Sequence, residues 1–182
     1  DNLIVVIGAM MVAPILSPFI SAALSVSVGD RKLLFSSLKT GLLSFLLAVI
    51  ASSIAVLPFE ASISPVVALV SEPSLISLLL SLLVGAAASL TFVTGLRDEM
   101  AGVAVAIALI PPIASIGIGL SMLDLSLISN ALTVVSMNIV SIIAAGFVCF
   151  RAFGLIPSTY YRKKQAEKMR YILPLSVMIL LV

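Results

Sequence analysis

The chain has 182 residues, of which 62% are hydrophobic and only 10% charged, with a mean hydropathy of +1.32. A soluble domain carries about 25% charged residues, so the composition excludes one and points to a polytopic membrane protein. The net charge of +2 says little by itself, and with no histidine or tryptophan the interface anchors must be Tyr, Lys and Arg.

A span needs about 20 mainly apolar residues, and on that measure the sequence divides into five whole spans and one truncated span. Span A covers 3–28, span B 33–57, span C 75–95, span D 100–122 and span E 125–150. Span F begins near Tyr171 and is cut at Val182. The start at Asp1-Asn2 has no basic leader and the chain stops inside an apolar run, so both termini read as cut from a longer protein. Gly29-Asp-Arg-Lys32 joins A to B, Leu96-Arg-Asp-Glu99 joins C to D, and a turn around Asp124 joins D to E. The B–C connector is longer and predicts a short interfacial helix from Pro65, with Ser71-Glu72-Pro73 opening span C as cap, acid and first-turn proline. The E–F connector carries Tyr160-Tyr-Arg-Lys-Lys164, then Lys168 and Arg170, a basic stretch suited to the headgroup level.

If the spans alternate, all ten Lys and Arg fall on one side, while Asp1, Glu60, Glu72 and Asp124 fall on the other. The positive-inside rule makes the basic side, with the loops around 31, 97 and 163, cytoplasmic.

Two proline-interrupted segments stand out. Ile7-Gly-Ala-Met-Met-Val-Ala-Pro14-Ile-Leu-Ser-Pro18 lies in span A, and Ala104-Val-Ala-Ile-Ala-Leu-Ile-Pro111-Pro112-Ile-Ala-Ser115 in span D. Proline deletes a backbone donor and clashes with the carbonyl four residues back. In lipid, broken helices survive only when buried in protein or lining a cavity. Pro14 and Pro111 are 97 residues apart (111 − 14), and in both copies an acid, Asp1 or Asp98, precedes the break by 13 residues. Span D starts three spans after span A, so the copies would be inverted, the layout of many secondary transporters. The expected architecture is an all-α membrane bundle with an inverted repeat and two proline-broken helices.

The prolines nominate a site. Pro14 frees the carbonyl of Met10, Pro18 that of Pro14, Pro111 that of Ile107, and Pro112 that of Ala108. Ser17 and Ser115 follow the breaks and could cap the half-helices or meet a solute. Asn138 lies at the centre of span E, where an amide is costly unless hydrogen-bonded. The candidate substrate-binding set is therefore Met10, Pro14, Ser17, Pro18, Ile107, Pro111, Pro112, Ser115 and Asn138. The plainer alternatives are a proline kink satisfied by neighbouring hydroxyls and, for Asn138, interhelical glue. Gly85-Ala-Ala-Ala-Ser89 in span C reads as a close-packing surface. No charged residue sits at mid-membrane, so a neutral polar solute or an ion held by carbonyls and hydroxyls is favoured over a proton relay. Catalytic, metal-ligand and cofactor motifs are missing, as is any basic helix suited to nucleic acid.

The run Asp1-Asn-Leu-Ile-Val-Val-Ile-Gly-Ala-Met-Met-Val-Ala-Pro14-Ile-Leu-Ser-Pro18, with Ala108-Leu-Ile-Pro-Pro-Ile-Ala114 and a later span carrying Asn138, resembles the signature of a prokaryotic membrane family catalogued as domain of unknown function 389. The resemblance covers essentially the whole chain and implies a multi-pass protein of the prokaryotic inner membrane. It also implies a helix before Asp1 and often a soluble region before that. It implies no activity. The two functional readings are a transporter or permease-like domain and a non-transporting anchor or sensor for a soluble region. Exposed small-residue faces are compatible with homo-oligomers.

Overall fold

A computed structural model describes residues 16–56, 65–95 and 98–155, with backbone alone at 16, 66 and 98–107. It is an all-α bundle without a strand among the described residues. In chain order the helices are α1 (Leu16–Val28), α2 (Arg31–Val56), α3 (Pro65–Ser71), α4 (Leu75–Thr94), α5 (Asp98–Met122) and α6 (Leu125–Ala152). Three of them, α2, α4 and α6, are long and apolar enough to cross a membrane.

The helix ends follow from a few residues. Gly29 adopts a left-handed φ of 76°, and the N–H groups of Gly29 and Asp30 both close on the Ser25 carbonyl (2.8 and 2.9 Å). Asp30 then caps α2 by accepting from the Leu33 N–H at 3.1 Å. The α5–α6 turn repeats this plan: Leu123 has φ 55°, the Asp124 N–H closes on the Gly119 carbonyl at 2.9 Å, and the Asp124 carboxylate accepts from the N–H groups of Ser126 and Leu127. Pro65 occupies the first position of α3, where its missing N–H is no loss. The cap of α4 is Ser74, which accepts from the Ser77 N–H at 3.1 Å, and not Ser71 as the sequence suggested. Ser71 instead ends α3, buried, with its hydroxyl donating to the Val67 carbonyl.

Helix α6 is the axis of the bundle and packs on α4, α5 and α1, whereas α2 packs on α5 and α1. The buried core joins Phe19 and Ala23 of α1, Leu109, Ile113 and Ile116 of α5, and Ala131, Val135, Ile142 and Phe150 of α6. Phe150 also meets Phe92 of α4 edge-to-face at 5.7 Å. Small residues set the closest approaches. A Cβ on Gly85 would lie 2.7 Å from the Cα and carbonyl oxygen of Ile142, and one on Gly146 would lie 2.9 Å from the Ala23 Cβ and 2.8 Å from the Ser89 hydroxyl. A Cβ on Gly117 would collide with the Ser52 side chain. Large apolar side chains point outward instead, with Phe35 73%, Leu42 59% and Ile54 60% exposed on α2, and Ile76 78% on α4. So large an apolar surface suits contact with acyl chains.

These contacts also fix directions. Ala23 with Gly146 and Ser27 with Leu155 make α1 and α6 parallel. Helices α2 and α5, which touch at Ser52–Gly117 and Ser53–Ser121, each join one of those two through a tight turn and so run parallel to one another. Gly85 with Ile142 and Ser89 with Gly146 make α4 and α6 parallel. Adjacent helices α5 and α6 run antiparallel, since Gly119 meets Ile128 while Ala108 meets Asn138. This is the pattern that alternating spans require.

The structure differs from the expectation of a break in span D. Helix α5 runs unbroken from Asp98 to Met122 with Pro111 and Pro112 inside it. Pro18 is the third residue of α1, where N–H groups have no intrahelical partner in any case, and the expected break in span A before it lies outside the described residues. Met10 and Pro14 lie outside the described residues.

Candidate functional site

The buried residues of α6 fall in one stripe: Leu127, Ala131, Val134, Val135, Asn138, Ser141, Ile142, Ile143, Gly146 and Phe150. Spacings of three and four place that stripe on the core side. Asn138 belongs to it by register, midway along the 28-residue helix and only 2% exposed. Its amide therefore has to find partners inside the protein.

It finds them on two neighbouring helices. The Asn138 Nδ2 donates to the Ala108 carbonyl at 2.8 Å. That carbonyl is the one whose helical partner Pro112 removes, four residues on. The Asn138 Oδ1 accepts from the Ser77 hydroxyl of α4 at 3.3 Å. The amide orientation is dictated by chemistry, because a carbonyl can only accept. One side chain thus ties α4, α5 and α6 together at the tandem prolines and lets α5 continue through them. Beside it, the Ser115 hydroxyl, 1% exposed, donates back to the Pro111 carbonyl at 3.0 Å. Such i−4 back-bonding bends helices slightly.

The nominated residues thus divide. Pro111, Pro112, Ser115 and Asn138 come together around the α5 carbonyls. Ile107 is in α5, but its side chain is outside the described set. Ser17 and Pro18 sit in the first turn of α1, Ser17 exposed and Pro18 buried. Two participants were missed, Ser77 and Ser81. Ser81 is fully buried and its hydroxyl donates to the Ser77 carbonyl at 2.9 Å. The signal was present: Ser77, Ser81, Gly85 and Ser89 recur every four residues, one face of a helix.

Carbonyl, amide and hydroxyl groups make up the polar set, and among the described residues no trio of acids, thiols or imidazoles converges to hold a metal. Lys39 lies on the exposed side of α2. Every buried side-chain nitrogen and oxygen among the described residues has a partner. A separate groove of about 480 Å³ between α4 and α6, lined by Leu82, Ala86, Ala144, Ala145, Val148 and Cys149, is almost wholly apolar and does not include Asn138.

The profile of a family described as Domain of unknown function (DUF389) matches residues 10–144. An uncharacterized protein of Methanocaldococcus jannaschii is 33% identical over 172 residues, covering 92% of this chain and 53% of that protein. The chain thus spans about half the length of the curated relative it matches. No solved structure matches.

Proposed function

The chain belongs to this family of unknown function, and we propose that it is a transporter or permease-like membrane domain that passes a small polar solute or ion beside the α5 prolines. The observation that carries this reading is the Asn138–Ala108 bond. A mid-helix carbonyl held by a side chain, and not by its own helix, can be handed to another donor by a modest rotation of α5 or α6. A solute hydroxyl, a solute amide or a partly dehydrated cation can take that place, because carbonyl dipoles serve all of them. Ser77 on the other end of the amide gives the exchange a second hydroxyl.

Architecture supports it. The α1–α2 and α5–α6 pairs share features at one spacing of 94 residues. Asp30 and Asp124 cap the second helix after a left-handed residue, and Pro18 corresponds to Pro112. The close contact of Gly117 with Ser52 corresponds to that of Ala23 with Gly146 (117 − 23 = 146 − 52 = 94). Since α1 is parallel and α5 antiparallel to α6, the pairs run in opposite senses. An inverted repeat with its centre at the prolines is a transporter layout.

The test is uptake of a panel of polar solutes and monovalent ions into liposomes carrying the full-length protein, normalised to folded molecules. Asn138→Leu is expected to abolish uptake of the transported species, and Asn138→Ala to leave part of it, since water can fill the gap. Normal uptake per folded Asn138→Leu molecule would remove Asn138 from the pathway. The full satisfaction of buried polar atoms favours a second reading, a closed anchor for a soluble region. Uptake of nothing in the panel, with the protein folded, would support it.

A further inference from the structure

Helices α4 and α6 meet through small residues. Gly85 seats against the Ile142 backbone and Gly146 against the Ser89 hydroxyl, so the two helices touch closely along one line. Beside that line the helices leave the groove of about 480 Å³, lined chiefly by Ala86, Ala144 and Ala145 with Leu82 and Val148. The Cys149 thiol there is turned to the Ala86 carbonyl at 3.8 Å. Val148 is 65% exposed, so the groove opens sideways, onto the surface suited to acyl chains.

An arginine stands beyond it. Ala144, Val148 and Arg151 follow one another at four and then three residues, one row of α6. Arg151 is in the last turn of that helix. Ala144 is seven residues deeper, about 10 Å at the rise of a helix. The Arg151 side chain is exposed, its guanidinium lies 5.9 Å from the centre of the Phe147 ring, and among the described residues no carboxylate pairs with it.

We infer that the α4–α6 groove and Arg151 together form a binding site for an anionic phospholipid, with one acyl chain along the three alanines and the phosphate on the guanidinium. The depths agree: Arg151 ends the helix, where headgroups lie, and the groove occupies the apolar turns below it. The guanidinium is a planar fork that matches phosphate oxygens in pairs. Arg31 and Lys32 share that end of the bundle and favour an anionic lipid over a zwitterionic one. A second copy is the rival occupant, since alanine-lined surfaces suit helix packing. The charge argues against it. Two copies related by a twofold axis along the membrane normal present the same patch to each other, which sets Arg151 against Arg151. The inference holds whether or not the domain transports.

The chain has no tryptophan, so a single one is a local reporter. Leu90→Trp puts it one turn from Ala86, on the exposed side of α4. The full-length protein, with any tryptophan outside residues 1–182 replaced by phenylalanine, is reconstituted in phosphatidylglycerol and phosphatidylcholine of the same chain length. One lipid or the other is brominated, and quenching reports which sits in the groove. The expected result is a preference for phosphatidylglycerol of about fivefold, the effect of one cationic side chain at an anionic headgroup. Arg151→Gln is expected to remove the preference. Ala145→Leu and, separately, Ala144→Leu fill the groove from α6 and are expected to remove it with Arg151 still in place. Lys39→Gln, which deletes an exposed cation of α2, is expected to leave it unchanged. Leu132→Trp in place of Leu90→Trp, on the exposed side of α6 nearer its start, is expected to show none. Equal quenching by the two lipids at Leu90→Trp would overturn the site. So would a preference that survives Arg151→Gln, or one that is as large at Leu132→Trp. A disulfide between two chains through Val148→Cys, in a Cys149→Ser background, would seat a second copy in the groove and overturn the lipid.

Discussion

Pro112 deletes the N–H that the Ala108 carbonyl would receive, and Asn138 supplies the replacement at 2.8 Å. The two residues should therefore be thermodynamically coupled. Asn138→Leu leaves the Ala108 carbonyl buried without a donor, a loss of about 1–3 kcal/mol. Pro112→Ala restores a backbone N–H to that carbonyl, so in the Pro112→Ala background the same Asn138→Leu change is expected to cost at least about 1 kcal/mol less. Thermal melting of the four proteins in one detergent measures the cycle, and additive effects would show that the bond does not replace the lost backbone partner. Much of this was legible in the residues alone. A carbonyl freed by proline and an amide in the middle of a span each need a partner, so their meeting was one of the outcomes left open. Continuity of α5 was not legible, because whether a proline pair breaks a helix depends on which neighbour reaches its carbonyl. Ser17 could not be separated from Ser115 for a similar reason: both follow a proline in sequence, but one lies in the exposed first turn of α1 and the other is buried in mid-helix.

At the scale of elements, two devices hold the bundle: close helix contacts and capped turns. At Gly85 the obstacle to a Cβ is the Ile142 backbone at 2.7 Å, which cannot rotate aside. Gly85→Ala must push α4 off α6, at about 1–3 kcal/mol. Ala87 is on the exposed side of α4, so Ala87→Leu is expected to leave the melting temperature unchanged. Equal effects of the two variants would remove the close contact from the account. In the α5–α6 turn, the Ser126 hydroxyl and then the Leu127 N–H hold the Asp124 carboxyl below its usual range. A carboxylate with a lowered folded pKa adds stability that is present above its unfolded value, ~3.9, and is lost as pH falls through the folded one. The melting temperature of the wild type is expected to drop more steeply than that of Asp124→Asn between about pH 5 and about pH 3, since Asn still caps but does not titrate. Identical slopes would mean that the cap is not the titrating element. Helix positions were readable from apolar length and turn residues, while the cap of α4 was misplaced by three residues, from Ser71 to Ser74. Ser, Glu and Pro suit either side of a helix start, and only backbone geometry decides between them.

For the molecule as a whole, the described charges separate by end. Helices α1 and α6 are parallel, and the Ser27–Leu155 bond joins the α1–α2 turn to the foot of α6, so Arg31, Lys32 and Arg151 share one end of the bundle. Helices α4 and α6 are also parallel, which puts Glu72 and Asp124, at the starts of those helices, at the other end. Asp30 lies with the basic group. The alternation could be reasoned from hydropathy, but the 94-residue register could not. The spacing of 97 was counted from Pro14, which lies outside the described residues, whereas the turns and close contacts among described residues share a spacing of 94. We propose that the basic end faces the cytoplasm, as the positive-inside rule would have it, and the paired helices make the two ends separately addressable. In a Cys149→Ser background, a membrane-impermeant maleimide applied to intact cells is expected to label Ser126→Cys, which is exposed beside Asp124. It is expected to reach Arg31→Cys, at the first residue of α2, only after the membrane is permeabilised. The reverse pattern would invert the molecule and leave its packing intact. Labelling of both positions from outside would mean that α5 and the turn after it do not return the chain across the bilayer, and the alternation inferred from the parallel pairs would fail with it.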